Sequence, residues 1–506
     1  MTRSIDEVKG SILGGERASA AADQGSSKAA AVVLVEYVRD RFKLGISSAG
    51  ETFAVPIDGP QVVQMLRSGA QRMRGELVRH FYERYGRTAQ AQALADAFVT
   101  LDGFAQATPP VRLWQRVARE GDALWLDLGG PEGRAVRIVP GSWSIEERSP
   151  VLFKRTVVTG ALPAPVRGGD VEQLWDFVNV ITEDRALILA WLVAALEPDV
   201  PHPILGVFGQ QGSGKTTAMT KLVQLIEDGV AVTRRPPRDG DAWIIMANSS
   251  WVVALDNLSS VPAWLSDALC RAITGEGDVR RKLYTDADLH AVAFRRVVAL
   301  SGIDLGSLEG DLADRLLPIS LSVISEEARR EERDLGPAWE RVRPLVLGAL
   351  LDLAASVLAL LPLIELERLP RMADFARIVA AVDEVLGTNG LQRYLGAQGR
   401  HAAEALSGDP FATLVMDWVK STSAFEGTSA ELLEAVTPDD EHKRRPKDWP
   451  ETARAVTARL RRQAPVMRKL GWHVSDDDGA NKQGVVRWRL VAPSSKVRMD
   501  RGLFDT

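Results

Sequence analysis

The stretch "PILGVFGQQGSGKTTAMTKLV", residues 203–223, decides how the rest of the chain is read. An apolar run leads into a glycine-rich turn, and an amphipathic run follows. Gly209, four variable residues that include Gly212, then Gly214, Lys215 and Thr216 complete the P-loop pattern. Glycines permit positive φ and let backbone N–H groups approach phosphate oxygens. The helix that starts here would turn its positive end toward the anion. Lys215 would meet the β- and γ-phosphates, and the Thr216 hydroxyl would ligate Mg²⁺. The expected cofactors are therefore ATP and Mg²⁺. The expected cradle is Gly209, Gln210, Gln211, Gly212, Ser213, Gly214, Lys215, Thr216 and Thr217. Nucleotide binding follows from this motif, but the use made of the nucleotide does not.

Magnesium needs a second handle, a carboxylate at the end of a neighbouring strand. "WVVALDNLSS" (251–260) offers Asp256 after four apolar residues. A strand-end aspartate that opens a turn is the competing reading. Asn257 follows, where many P-loop ATPases carry a glutamate that activates water. An amide cannot accept that proton, so the general base is unassigned, with Asp267 and Glu276 as the alternatives.

The chain has 506 residues, enough for two to four domains. Hydrophobic residues make up 45% and charged residues 25%, which excludes a disordered or collagen-like class. With 62 Lys and Arg against 67 Asp and Glu, the net charge is −5, so any polyanion site is a local patch. Cys270 is the single cysteine, which excludes an internal disulfide and a zinc ribbon and points to a reducing interior. Its apolar helical setting reads as core. No signal-peptide pattern opens the sequence, and a cytoplasmic location is expected. "ALILAWLVAALEP" (186–198) is too short to span a bilayer. "PLVLGALLDLAASVLALLPLIEL" (344–366) is long enough, but Asp352 and Pro362 interrupt it, so a packed helix pair is expected.

Residues 1–31 read as a flexible leader, rich in Ala, Gly and Ser. Residues 32–168 mix helical spacing with alternating strands and read as one α+β domain. "LVRHFYER" (77–84) within it reads as a solvated helix face. "ALPAPVRGGD" (161–170) punctuates the chain, with Asp170 as a helix cap. In residues 169–324 the runs "PILGVF", "AWIIMA", "WVVALDN" and "RVVALSG" read as strands between helices, an α/β fold with a mostly parallel sheet. Residues 325–406 read as helical, 407–493 as a last domain and 494–506 as a polar tail. No repeat of fixed period is apparent.

Beyond Asp256, "WLSDALCRAITGEGDVRRKLYTDADLHAVAFRRVVALSGID" (264–304) ends in a strand that stops at Ser301, and "GDLADRLLPISL" (310–321) follows. In this order the chain resembles the superfamily 3 helicases within the AAA+ class, the primase-helicase-type ATPases of phages and integrative mobile elements. "LPRMADFARIVAAV" (369–382) resembles the mobile-element group as well. The likeness runs from about Asp170 to Phe375 and more loosely over the C-terminal domain. It implies a P-loop AAA+-type core between the N-terminal α+β domain and the last domain. It implies that Lys215, Asp256, Ser301 and Arg315 are catalytic and that Thr216 and Asp256 hold the metal. Ser301 stands where relatives usually carry a polar asparagine sensor. Arg315 stands where an arginine finger would serve a neighbouring subunit, which implies a homo-oligomeric, hexameric ring. A salt bridge to Asp311 or Asp314 is the alternative for Arg315.

The segment "VRRKLYTDADLHAVAF" (279–294) reads as two strands joined by a polar turn. In superfamily 3 relatives this hairpin contacts DNA, which would give Arg280, Arg281 and Lys282 phosphate contacts and Tyr284 a stacking face. A solvated basic hairpin is the plain alternative. In the last domain, helices over 411–422 and 428–436, two more over 449–472, and a hairpin over 472–491 make a winged-helix pattern. Arg454, Arg459, Arg461 and Arg462 fall in a strongly basic stretch and are the candidate DNA contacts. Asp476, Asp477 and Asp478 in the wing would repel phosphate.

The favoured expectation is an ATPase that drives a DNA helicase or translocase in phage or mobile-element replication. The alternative is an ATP-dependent DNA-binding switch, an origin-binding initiator or a defence ATPase, without processive unwinding. A small-molecule kinase lacks support, since no lid motif or paired substrate arginines appear. Primase chemistry is not expected on this chain, and a separate partner would supply it.

Overall fold

The computed structural model describes residues 29–67, 71–275, 277–281, 289–302, 310–327, 329–367, 369–397, 409–437, 449–479 and 485–493. The chain divides after Arg112, inside the stretch expected to form one N-terminal domain.

The first unit is α+β. Helix α1 (Ala30–Arg41) runs directly into β1 (Phe42–Ser47), which pairs with β2 (Thr52–Pro56). β3 (Gln64–Met65), α2 (Gln71–Tyr85), α3 (Ala91–Gln106) and β4 (Pro110–Val111) complete it, with sheet order β3-β2-β1-β4. Helical spacing on α2 buries Met73, Leu77 and Phe81, and on α3 Leu94, Ala97, Phe98 and Leu101. With Leu34 and Val38 of α1 these form the unit's own core.

In the second unit, the short parallel pair β5 (Leu113–Trp114) and β10 (Leu152–Phe153) flanks an antiparallel meander. The meander is β6 (Val117–Glu120), β7 (Ala123–Asp127), β8 (Ala135–Val139) and β9 (Ser142–Glu146). One face, with Leu124, Leu126, Val136 and Ile138, joins the large core of the residues that follow. Polar groups secure the join. Arg116, itself buried at φ 55°, pairs with Glu227 at 2.7 Å and donates to the carbonyls of Asp127 and Gly160. A boundary at residue 168 would strip this meander of both its apolar and its ionic partners, so it does not belong to a separate N-terminal domain.

Helix α4 (Thr182–Ala194) precedes a five-stranded parallel sheet. Its strands are β11 (Ile204–Phe208), β12 (Thr233–Arg234), β13 (Val252–Leu258), β16 (Val297–Gly302) and β17 (Leu316–Ser320), ordered β12-β13-β16-β11-β17. Helices α5 (Lys215–Gln224), α6 (Gly240–Ser249) and α7 (Ala263–Thr274) connect them, and β14 (Gly277–Arg281) pairs with β15 (Leu289–Ala293) as an antiparallel hairpin. Near-continuous burial of β11, β13 and β16 matches a sheet covered on both faces. The run "AWIIMA", expected as a strand, lies in α6. The Asp239 carboxylate accepts the Ala242 N–H at 2.8 Å and caps this helix, and Trp243 and Ala247 are buried while Ile245 faces outward. Six apolar residues suit either element, and the cap decides. Asp170 does cap a turn, a 3-10 helix over Val171–Asp176.

After the short α8 (Gly310–Ala313), α9 (Glu332–Leu360) is one helix ended by a 3-10 turn at Leu361–Leu363, not the expected helix pair. It is long and apolar enough to cross a membrane, yet most of its apolar stretch is buried in the protein. It packs with α10 (Ala373–Leu386) and α4 in the same core as the parallel sheet.

Last come α11 (Pro410–Thr422), β18 (Ala424–Thr428), α12 (Ser429–Val436), α13 (Ala453–Lys469), β19 (His473–Asp476) and β20 (Arg487–Val491). The three strands form an antiparallel sheet ordered β18-β20-β19. Phe411, Val415, Leu432, Leu460, Trp488 and Leu490 make a separate core. α13 runs unbroken through Pro465 where two helices are expected.

Replacing Arg116 with alanine would leave the Glu227 carboxylate buried without its cation. A loss of about 3–5 kcal/mol in unfolding free energy is expected by denaturant titration.

Candidate functional site

Register assembles the site. β13 pairs with β16 as Leu255↔Leu300, and β16 pairs with β11 as Ser301↔Val207. The carboxyl ends of three adjacent strands thus carry Asp256, Ser301 and the glycine-rich turn after Phe208. The Asp256 carboxylate accepts the Thr216 hydroxyl at 2.9 Å through Oδ2, and its Oδ1 accepts the Ser301 hydroxyl. Ser301 is buried, and its oxygen in turn accepts the Asn257 N–H at 3.0 Å. A hydroxyl has one proton to donate, and Ser301 gives it to Asp256.

The turn itself requires glycine. Gly209 sits at φ 155°, and a Cβ there would lie 2.6 Å from the Ser213 hydroxyl and 2.8 Å from the Leu321 carbonyl oxygen. Gly214, at φ 76°, is the N-cap of α5. Lys215 folds back over the turn and donates to the carbonyls of Gly209 at 2.7 Å and Gln210 at 2.9 Å. The Ser213 hydroxyl is buried with no hydrogen-bond partner among the described residues. A backbone cradle, an ammonium on a flexible stem, an orphaned hydroxyl and a hydroxyl–carboxylate pair are the donor set that a Mg²⁺–nucleotide needs. The residues present fit it. Gln210, Gln211 and Thr217 lie on the same turn and first helical turn.

Asn257 is exposed, at φ 60°, in a bulge of β13 between Leu255 and Leu258. Asparagine tolerates this left-handed backbone better than most residues. Of the alternative bases, Glu276 lies outside the described residues, and Asp267 is exposed on α7. Cys270 is buried, and burial pushes its thiol up to about 11, an inert core cysteine.

Arg315 lies at the amino end of β17, beside Ile204, and thus at the opposite end of the sheet from the glycine-rich turn. It pairs with Asp311, the alternative weighed from the sequence, and Asp311 also pairs with Arg371 at 2.5 Å. The Arg315 side chain is 11% exposed and that of Arg371 38%. Of this cluster, then, Arg371 is the more accessible cation.

Arg280 and Arg281 fall on β14, opposite His290 and Leu289. Lys282 and Tyr284 lie outside the described residues. The four candidate arginines on α13 separate into two kinds. Arg459 pairs with Asp409 at 2.8 Å, where Asp409 also caps α11. Burial alone would raise the Asp409 carboxyl, but Arg459, the Ala412 N–H and Gln463 together hold it below its usual value. Arg461 pairs with Asp476 and Asp478, so those carboxylates are engaged with a cation on the neighbouring helix. Arg454 and Arg462 are exposed. Sequence spacing could not make this division, because every partner lies 15 or more residues away along the chain. Among the described residues no cluster of three or more His, Cys, Asp or Glu side chains could hold a metal by itself.

No curated protein matches the chain. Among solved structures, the apo C-terminal region of NrS-1 in its A form aligns at 13% identity and a TM-score of 0.39, covering 91% of this chain and 98% of that one. A second apo structure of that region aligns at 12% identity and 0.38, over 92% and 100%. Likeness of that degree carries no functional argument. Residues 171–400 match the actinomycete integrative conjugative element replication proteins, and residues 411–498 match the C-terminal domain of that same family. Across these two segments, which together make up more than half of its length, the chain belongs to the replication proteins of actinomycete integrative conjugative elements.

Proposed function

We propose that the chain is an ATPase that drives a helicase or translocase on DNA during replication of its mobile element. The observation that carries this reading is the Thr216–Asp256–Ser301 constellation beside the glycine cradle, in a family of replication proteins. The site lies at the carboxyl ends of parallel strands, where open α/β sheets bind ligands. Lys215 exchanges its two carbonyl partners for phosphate oxygens, while Asp256 and Thr216 hold the metal. Mg²⁺, when bound, neutralises charge on the β- and γ-phosphates. Ser301 orients the Asp256 carboxylate and does not sense the γ-phosphate. Arg315, remote from its own loop, serves a neighbouring copy in a ring.

The C-terminal order α11-β18-α12-α13-β19-β20 with a three-stranded antiparallel sheet is read as a winged helix. In this reading α13 faces DNA through Arg454 and Arg462, while Arg459 and Arg461 maintain the domain. The β14–β15 hairpin supplies the moving contact.

A second reading, an ATP-dependent switch without processive unwinding, is favoured by Asn257. With an amide at that position and the Ser301 proton engaged, no described side chain at the site is placed to activate water. Strand displacement separates the two readings: DNA-stimulated hydrolysis without displacement selects the switch.

Single-stranded DNA is expected to stimulate ATP hydrolysis by the wild type, and Lys215→Ala to abolish it. Absence of stimulation in the wild type would sink the translocase reading. Ser301→Ala is expected to raise the Mg²⁺ concentration needed for half-maximal activity by about 10–100-fold. A loss of turnover with unchanged Mg²⁺ dependence would return Ser301 to the phosphate. Arg454→Ala with Arg462→Ala is expected to weaken DNA binding and lower the slope of log affinity against log salt by about 2. Arg459→Ala should instead lower the thermal stability of the C-terminal domain.

A further inference from the structure

The segment that follows β17 folds back over the phosphate loop. The Leu321 N–H donates to the Phe208 carbonyl at 2.8 Å, and Leu321 bridges Val180 in antiparallel fashion. Asn179 donates to the Ser322 carbonyl at 2.6 Å. Ile324 lies against Gly214, 3.1 Å from where a Cβ on that residue would stand. Further on, the Arg329 N–H closes a turn onto the Glu326 carbonyl at 3.3 Å, and the Arg330 guanidinium sits 5.6 Å from the centre of the Phe177 ring.

These contacts set the next side chain over the middle of the loop. A Cβ on Gly212, itself at φ 84°, would meet one described atom within 4 Å, the Arg329 Nη2 at 3.5 Å. Two neighbouring acids are engaged elsewhere: Glu331 pairs with Arg333 at 2.9 Å, and Glu327 is held ionised by its own backbone N–H and Ser325. An exposed guanidinium thus stands over the middle of the glycine-rich turn that also carries Lys215.

We propose that Arg329 grips the phosphate chain of the nucleotide held by the loop, acting in cis on its own subunit's site. The inference rests on reading residues 209–217 as a phosphate cradle. A planar fork suits phosphate oxygens and adds a charge-assisted hydrogen bond that the lysine does not supply. Segment 321–330 then reports nucleotide occupancy directly to α9, which begins at Glu332.

Equilibrium binding of a fluorescent ATP analogue to the full chain with Mg²⁺, without turnover, tests this. Arg329→Ala is expected to weaken binding by about 10-fold or more, Arg329→Lys by less, and Arg330→Ala little. Unchanged affinity in Arg329→Ala would overturn the proposal. Equal losses in Arg329→Ala, Arg329→Lys and Arg330→Ala would overturn it too, because packing of the segment, not charge at Arg329, would then be responsible. A wild type that binds no nucleotide, or binds equally well with Lys215→Ala, would overturn the phosphate cradle itself, so the two failures are distinct.

Discussion

One buried carboxylate connects the parts of this molecule that must be in register. Glu227 lies just beyond α5, the helix that starts at the glycine-rich turn. Through Oε1 it accepts Arg116, which comes from the edge of the antiparallel meander, and through Oε2 it accepts the Trp251 N–H at 2.8 Å. Trp251 immediately precedes β13, the strand that ends in Asp256. A single side chain thus ties the far end of the loop helix to the root of the carboxylate strand. In a dry interior such a network is strong when complete and costly when broken. The left-handed backbone of Arg116 is the local strain that this network holds in place.

Downstream of that anchor the chemistry is set by strand register. A one-residue slip of β13 against β16 would turn Asp256 to the other face of the sheet and break its bonds to Thr216 and Ser301. The bulge after Leu255 uses the freedom that remains: it places Asn257 in a left-handed conformation and aims its N–H at the Ser301 oxygen. An asparagine where many ATPases carry glutamate is thus also a backbone solution.

Charge follows the same logic. The net charge of −5 gives no hint of nucleic acid, and the basic stretch on α13 suggests four equivalent contacts. Folding makes them unequal. Arg459 is used in the core beside Asp409, and Arg461 is used by the strand-end aspartates. Arg454 and Arg462 remain exposed.

The phosphate loop, its lysine and hydroxyl, Asp256, the end of β16 at Ser301 and the β14–β15 hairpin were legible in the sequence because each is local: a turn, a strand end or a short alternation. Other features depended on long-range information. The "AWIIMA" run is helical because Asp239 caps it. The meander belongs with the large core because its buried faces and Arg116 need residues beyond 168. The bond from Ser301 to Asp256 depends on two strands brought together from 45 residues apart. Arg329 carried no motif at all, and only the fold-back of its segment over Gly212 distinguishes it from any exposed arginine. Local chemistry determined the glycine-rich turn and its flanking residues, and the pairing of distant strands decided which side chains meet it, because hydrogen-bond geometry is satisfied in space and not along the chain.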